Sequence, residues 1–358
     1  MRGYTPGEQP RGGKYIKLNT NENPYPSSPA VQRAIGMAIK DGLQKYPDPL
    51  GEAFRVRAGQ IYGFDPSWIL CGNGSDDILT IVTRAFVGQG ERLRLPYPSY
   101  ILYKTLAQLQ GAEAEEVRFT DDWRLDERFS DSRPATGIVA ADRVSTASAS
   151  TGATPLKLAF LPNPNSPSGT FIPVEEVRQL ARRLPCPLLV DEAYADFAED
   201  NCLRLVREEE NVLVSRTLSK SYALAGLRFG FLVARPELIE QLIKVKDSYN
   251  CDALSLAGAT AAIDDQAWLA ANRTRILATR AKLIAGLRDL GFDVLDSHAN
   301  FVWCTHRQQA SQKLYLRLKE QQILVRYMDY PGWGDGLRIT VGTDEQVEAA
   351  FALLKAMV

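Results

Sequence analysis

Histidine is nearly missing from this chain: 358 residues hold two, His298 and His306. A histidine-based triad or a multi-histidine zinc site is therefore hard to build, and two lone imidazoles read as structural or surface groups. Cysteine is also scarce. Five lie scattered, odd in number and without a C-x-x-C pair, which suits reduced thiols in a cytosol. No apolar run approaches the roughly twenty residues of a membrane span. The opening Met1-Arg-Gly-Tyr-Thr-Pro lacks the apolar core of a signal peptide. A formal net charge of −1 gives no support for a nucleic-acid partner, and no internal repeat is apparent. The length suffices for one large and one small domain with a sizeable core, and the apolar fraction, 45%, is ordinary for a globular chain.

The most informative stretch runs from Val214 to Phe231. The apolar run Val212 to Val214 leads into small hydroxyl residues around one lysine: Thr217, Ser219, Lys220 and Ser221. Eight residues past the lysine, Arg228 opens a second apolar run, Phe229 to Ala234. A lysine on a turn between two buried strands is partly desolvated, which favours its neutral form. A neutral amine is what attacks an aldehyde to make a Schiff base. Thr217, Ser219 and Arg228 are donors that an anchoring phosphate needs, and arginine can grip it with two bonds. An aldehyde with a phosphate tail is pyridoxal 5′-phosphate.

Upstream by 29 residues, Leu188-Leu-Val-Asp-Glu-Ala-Tyr194 ends an apolar strand in Asp191 and sets Tyr194 three residues on. Asp191 can pair with a pyridine nitrogen and keep it protonated, so that the ring acts as an electron sink. Tyr194 can hydrogen-bond the ring's phenolic oxygen. Taken singly, the lysine turn is an ordinary solvated turn and Asp191 an ordinary helix N-cap. Their conjunction points to one chemistry.

Asp191-Glu-Ala-Tyr194, Arg216-Thr-Leu-Ser-Lys220 and Leu227-Arg228 together resemble the fold-type I pyridoxal-phosphate aminotransferases, and within them the histidinol-phosphate aminotransferases. The resemblance covers nearly the whole chain. It implies an α/β fold: a large domain with a mostly parallel seven-stranded sheet flanked by helices, plus a smaller α+β domain. The expected division is an N-terminal arm at 1–30, a large cofactor-binding domain at 31–248, whose first helix can pack with the small domain, and a small domain at 249–358.

Other segments carry the resemblance further. Leu18-Asn-Thr-Asn-Glu-Asn-Pro24 matches a stretch that runs past the active-site mouth, placing Asn21 at the substrate. Tyr4 matches an arm tyrosine that helps enclose substrate in the neighbouring subunit. Tyr46, in Lys45-Tyr-Pro-Asp-Pro49, matches a tyrosine that reaches the partner's cofactor phosphate, so a homodimer is implied. Ile69-Leu-Cys-Gly-Asn-Gly-Ser-Asp-Asp77 ends an apolar step in a glycine-rich turn at a helix start expected at Asp77. Free N–H groups and the helix dipole favour a phosphate there. Gly74, Ser75 and Asp76 carry over to cofactor binding. Tyr100, in Pro96-Tyr-Pro-Ser-Tyr100, matches the aromatic that stacks on the pyridine ring.

Pro162-Asn-Pro-Asn-Ser-Pro-Ser-Gly169 resembles a turn whose asparagine bonds the ring's phenolic oxygen, but Ser166 and Ser168 stand where Asn and Thr are usual. Asn165 is the expected donor, with Asn163 or Ser166 as stand-ins. Arg338, in Gly336-Leu-Arg-Ile-Thr-Val-Gly-Thr343, matches the arginine that holds the substrate's anionic group. Arg326 matches a second such arginine. A planar bidentate donor suits carboxylate and phosphate alike.

The alternation of strands and helices itself argues a mostly parallel sheet, with sites at the C-terminal ends of strands. Beyond 249 the pattern gives a long helix within 266–290, strands near 292–295, 300–304 and 322–326, and a helix at 309–320. The Ser/Thr/Ala-rich stretch 142–154 reads as a solvated loop without function. The resemblance implies a cytoplasmic transaminase without a metal, with L-histidinol phosphate as amino donor and 2-oxoglutarate as acceptor. An aromatic-amino-acid aminotransferase or a threonine-phosphate decarboxylase shares the same Lys/Asp/Tyr core. A cofactor-binding regulatory domain without turnover is the reading of another class, but there is neither spare length nor a basic face for the DNA-binding module such domains carry.

Overall fold

The structure is a computed structural model that describes residues 7–10, 12–131 and 154–358. In chain order the elements are β1 (Ile16–Leu18), α1 (Pro29–Lys40), α2 (Glu52–Tyr62), β2 (Ile69–Gly72), α3 (Ser75–Phe86), β3 (Arg92–Tyr97), α4 (Leu102–Leu109), β4 (Glu113–Arg118), β5 (Leu156–Pro162), α5 (Val174–Arg183), β6 (Leu188–Asp191), α6 (Leu205–Glu208), β7 (Val212–Thr217), β8 (Gly230–Val233), α7 (Pro236–Ile243), α8 (Ala253–Asp264), α9 (Gln266–Asp289), β9 (Phe292–Val294), β10 (Phe301–His306), α10 (Ser311–Glu320), β11 (Ile323–Tyr330), β12 (Gly334–Thr340) and α11 (Asp344–Lys355).

Seven strands form the large sheet in the order β2-β8-β7-β6-β5-β3-β4. Only β8 runs against the rest. The central strands β6, β7 and β8 are buried along their whole length, as strands covered on both faces must be, and their sequences are correspondingly near-continuous apolar runs. One face packs Val190, Val214 and Phe231 with Phe54 and Val177. The other packs Leu189, Leu213 and Leu232 with Ile78 and Tyr103. The expected mostly parallel seven-stranded sheet is therefore present.

The second sheet has five strands, β1-β11-β12-β10-β9, with β1 parallel to β11 and the others antiparallel. It carries its own core around Val302, Leu337, Ile339 and Leu283. Residues 16–18, expected within an extended arm, are thus a strand of this sheet, paired in register from Ile16 on Ile323. Helix α8 follows the expected boundary at 248/249. Its Ala259, Ala262 and Ile263 pack in the same core as Val31 of α1 and Ala58 of α2.

Local chemistry sets the helix ends. Ser28 accepts from the Ala30 N–H at 3.0 Å and Pro29 opens α1, while Asp252 caps α8 and Thr343 with Gln346 forms a capping box on α11. Helix α3 begins at Ser75, two residues earlier than expected, because Gly74 takes the left-handed φ of 83° at its cap. Among the described residues, no helix is long and apolar enough to cross a membrane. Tyr4, and residues 142–153 of the expected loop, lie outside the described residues.

Candidate active site

The C-terminal ends of β5, β6 and β7 open on one cavity of about 230 Å³, bounded on its other side by Arg326 of β11 and Arg338 of β12. Twelve of the residues singled out in the sequence meet there: Asn21, Ser75, Asp76, Tyr100, Asp191, Tyr194, Thr217, Ser219, Lys220, Arg228, Arg326 and Arg338.

Lys220 stands on the turn after β7. Its Nζ donates to the Thr20 carbonyl at 3.3 Å and lies 5.9 Å from the centre of the Tyr194 ring. Burial, helped by the positive charge of Arg338, pulls its pKa down to about 8; the carboxylates of Asp76 and Glu22 work the other way. Asn23 fixes the turn from outside, donating through Nδ2 to the carbonyls of Lys220 and Ser221, at 3.0 Å each.

Asp191 ends β6 and is 5% exposed. Burial pushes its carboxyl up to about 6 and the like charge of Asp76 adds to this, while three donors hold the anion. These are Tyr103 Oη on Oδ2 at 2.7 Å, and Ser215 Oγ and the Ala193 N–H on Oδ1 at 3.2 Å each. Tyr194 Oη accepts from Asn21 Nδ2 at 2.9 Å. Asn21 is itself held in a left-handed conformation, φ 55°, by Thr340 of β12 and by Asn300. The small sheet thereby sets the direction of the Tyr194 hydroxyl.

At the opposite end is a set of anion donors. Ser75 opens α3, and Thr217, Ser219 and Arg228 line the cavity with it. Arg228 has φ 55° and sends Nη1 to Ser219 Oγ at 3.3 Å and Nη2 to Asp76 Oδ2 at 3.4 Å. A Cβ on Gly74 would lie 2.6 Å from Arg228 Nη2, and one on Gly230 would lie 2.7 Å from the Ser75 nitrogen. Both glycines are what lets the helix start and the arginine close on one point. The dipole of α3 contributes about 0.3–1 kcal/mol toward an anion there, so Arg228 and the hydroxyls supply most of the grip. Tyr100 Oη donates to Asp76 Oδ1 at 3.2 Å.

Other expected residues lie elsewhere. Asn165 does not line the cavity; its Nδ2 is spent on the Pro98 carbonyl at 3.3 Å and Ser168 Oγ at 2.8 Å, and its Oδ1 is buried without a partner. Asn163 bonds Ile172 in both directions. From this turn Pro162, Pro164 and Ser166 line the cavity, and Ser166 Oγ accepts from Arg338 Nη1 at 2.9 Å. Tyr46 is 79% exposed and stacks on Tyr249, away from this chain's own cavity.

Sequence reasoning missed Tyr103, Ser215, Asn23 and the Thr20 carbonyl. Tyr103 had a signal, since it follows Tyr100 by three residues at the start of a helix, the spacing of neighbours on one face. It also missed Arg216, buried beneath the lysine turn, which grips Glu192 at 2.8 Å and Asp196 at 2.8 Å, while Asp196 accepts from Ser221. Among the described residues no cluster of His, Cys, Asp and Glu could hold a metal ion.

The arrangement can hold a phosphate, pair a ring nitrogen with a carboxylate, and present an amine between them. The sequence model of the family described as aminotransferase class I and II matches residues 13–354. A histidinol-phosphate aminotransferase of Rhodopirellula baltica is 54% identical over 99% of this chain and 93% of its own length. Histidinol-phosphate aminotransferase 1 of Trichormus variabilis is 46% identical over 97% and 93%. Among solved structures, histidinol-phosphate aminotransferase from Sinorhizobium meliloti, in complex with pyridoxal 5′-phosphate, superposes with a TM-score of 0.82 at 24% identity, covering 96% of this chain and 91% of that one. The fold is therefore that of the fold-type I transferases, and the chain belongs to the class I and II aminotransferase family.

Proposed function

We propose that this chain is a pyridoxal-phosphate-dependent transaminase that moves the amino group of L-histidinol phosphate to 2-oxoglutarate, giving imidazole-acetol phosphate and glutamate in histidine biosynthesis. The names of its relatives support the substrate. The observation that carries the cofactor is that Lys220 Nζ, Asp191 and the Ser75/Thr217/Ser219/Arg228 donors share one cavity. When bound, pyridoxal 5′-phosphate supplies an aldehyde for amines to condense with and a protonated ring that takes up carbanion charge.

The residues divide the remaining work. Ser75, Thr217, Ser219 and Arg228 hold the phosphate, with Gly74 leaving the room for Arg228 and Asp76 orienting it. Asp191 keeps the ring nitrogen protonated, Tyr194 bonds the ring oxygen, and Tyr100 stacks on the ring. Ser166 is the better candidate than Asn165 beside Tyr194, because it faces the cavity and Asn165 does not. Lys220 Nζ first holds the cofactor, then takes the α-proton of the substrate and returns it as general base and acid. Its depressed pKa leaves a usable neutral fraction near pH 7. Arg338 and Arg326 hold the phosphate of one substrate and the carboxylates of the other, with Asn21 at the mouth. Two half-reactions on one cavity give ping-pong kinetics.

A homodimer completes the site. Tyr46 is exposed together with Met37, Ile39 and Leu43, an apolar surface that suits a second copy. Tyr46 and the arm with Tyr4 then reach the neighbouring cavity. The large unit takes α8 with it on packing grounds, and the small unit begins at α9. The five cysteines are free and buried, which suits a reducing cytoplasm.

A half-reaction tests this. Protein loaded with cofactor is mixed with L-histidinol phosphate and no keto acid. Bleaching of the visible absorption, restored by 2-oxoglutarate, is the expected result. Bleaching by phenylalanine or tyrosine but not by histidinol phosphate would keep the transaminase and discard the substrate.

A further inference from the structure

Beyond its bond to Asp191, Tyr103 has no part in the division of work proposed above. It sits on α4, 0% exposed, with its ring 4.9 Å from Phe160 and perpendicular to Tyr100 at 5.5 Å. Its hydroxyl donates to Asp191 Oδ2 at 2.7 Å, the shortest of the three bonds that this carboxylate accepts. The direction of donation is fixed, because an ionised carboxylate only accepts. The phenol itself is held well above its ordinary range by burial and by the charge of Asp191. Asp76, Tyr100 and Tyr194 are the other titratable groups facing the pair.

Burial works against a charged Asp191 and the negative charge of Asp76 works the same way. What opposes them is hydrogen bonding to the anion, and the Tyr103 bond is the strongest such contribution, ahead of Ala193 and Ser215. A donor that stabilises the carboxylate makes it a weaker base. A proton shared between that carboxylate and a pyridine nitrogen then stays on nitrogen. We propose that Tyr103 is a positioning residue that holds Asp191 as a carboxylate through Oδ2, and so keeps the proton of the bound cofactor on its ring nitrogen. The inference rests on the assignment of Asp191 to that nitrogen in the proposed function.

Tyr103→Phe keeps the ring and removes only the hydroxyl. In the full chain loaded with cofactor labelled with ¹⁵N at the ring nitrogen, the resonance of Y103F near neutral pH is expected to move toward the neutral-pyridine position. In the same chain without cofactor, the ¹³Cγ titration of Asp191 is expected to move up by about one pH unit, the size of one hydrogen bond to a charged group. A purely packing role for Tyr103 moves neither signal, and either signal unmoved in folded Y103F overturns the proposal. Should Y103F not fold, 3-fluorotyrosine at 103 provides a more acidic donor and the opposite shift of Asp191; no shift overturns the proposal equally. Failure of the functional reading looks different: wild-type protein would then show no attachment of cofactor to Lys220 after borohydride reduction, whatever the Asp191 titration does.

Discussion

Arg326 and Arg338 stand directly opposite each other across β11 and β12, as partners in register. Like charges so placed in a sheet cost roughly 0.2–1 kcal/mol, and an anion between them reverses the sign of the interaction. Arg338 is already aimed, by its bond to Ser166 Oγ at 2.9 Å and to the Asn19 carbonyl at 3.2 Å, and its Nε is buried without a partner. R338A is expected to lower kcat/KM for 2-oxoglutarate about 100-fold, the loss of one or two charge-assisted bonds of about 1.5–3 kcal/mol each. R338K should recover little, since the ammonium has no planar fork. Steady-state rates of the three proteins check this, and equal rates for lysine and arginine would remove the bidentate role.

Lys220 sets a pH dependence. Burial first, then Arg338, brings its pKa from 10.5 to about 8. At pH 7 about a tenth of the amine is then neutral, against roughly one in 3,000 at the ordinary value. The rate at which cofactor-free protein takes up pyridoxal 5′-phosphate should rise about tenfold per pH unit below 8 and level off above it. A rate that climbs steadily to pH 10 would mean an unperturbed lysine. Stability runs in the same sense: the folded chain binds fewer protons than the unfolded one between about 8 and 10.5, so this group's contribution grows as pH rises through that window and is lost as pH falls.

Asp191 has the opposite sign. Its folded pKa is raised from 3.8 to about 6, so the folded state binds more protons across that window. Stability of the cofactor-free chain from this group is therefore present below 3.8 and lost as pH rises to about 6, by about 3 kcal/mol at most. D191N cannot ionise and should lack this segment. Urea midpoints of the two proteins from pH 4 to 7 compare them, and parallel curves would show that Asp191 carries no such shift.

Much of the site was readable because its residues follow apolar runs in the local chain. Leu188 to Val190 points to Asp191, and Val212 to Val214 points to the lysine turn, so hydropathy alone puts both at strand ends. Tyr103 is marked only by its spacing from Tyr100, and Asn23 and Ser215 by nothing local, since the roles of all three are contacts across 88, 197 and 24 residues. The pattern points to Asn165, whereas the turn's geometry sets Ser166 on the cavity. Ile16 to Leu18 is a strand only through its pairing with residues 323–325, so its three residues carry no signal of their own. Helix α8 is rich in small residues and packs against α1 and α2, which blurs the one-sided apolar stripe that marks a surface helix.

Arg216 lies on β7, four residues before Lys220. It is 5% exposed and bonds Glu192 through both Nε and Nη2, at 3.0 and 2.8 Å. Burial raises the carboxyl of Glu192, and Arg216 opposes that rise. R216A leaves a buried carboxylate alone and should cost about 3–5 kcal/mol. Without its partner Glu192 rises further, so the loss is expected to deepen with increasing pH, as a buried carboxyl is forced to ionise. Denaturant unfolding at two pH values reads both effects, and a loss independent of pH would assign the damage to packing instead.

Under the proposed homodimer, Tyr46 is the residue that tests whether one chain suffices. It is 79% exposed, fixed by stacking on Tyr249 at 4.4 Å, and does not line the cavity of its own chain. If its hydroxyl serves the phosphate held in the partner's cavity, Y46A should weaken cofactor binding about 10- to 100-fold, one bond to a charged group. The stronger test mixes two defective chains. K220A offers Tyr46 but no amine, and Y46A offers the amine but no tyrosine. A mixed dimer contains one cavity with Lys220 from the Y46A chain and Tyr46 from the K220A chain, which restores a wild-type site. Titrating K220A into Y46A at low cofactor concentration should therefore raise activity above that of Y46A alone. If Tyr46 acts within its own chain, the K220A chain contributes nothing and activity follows Y46A at every ratio.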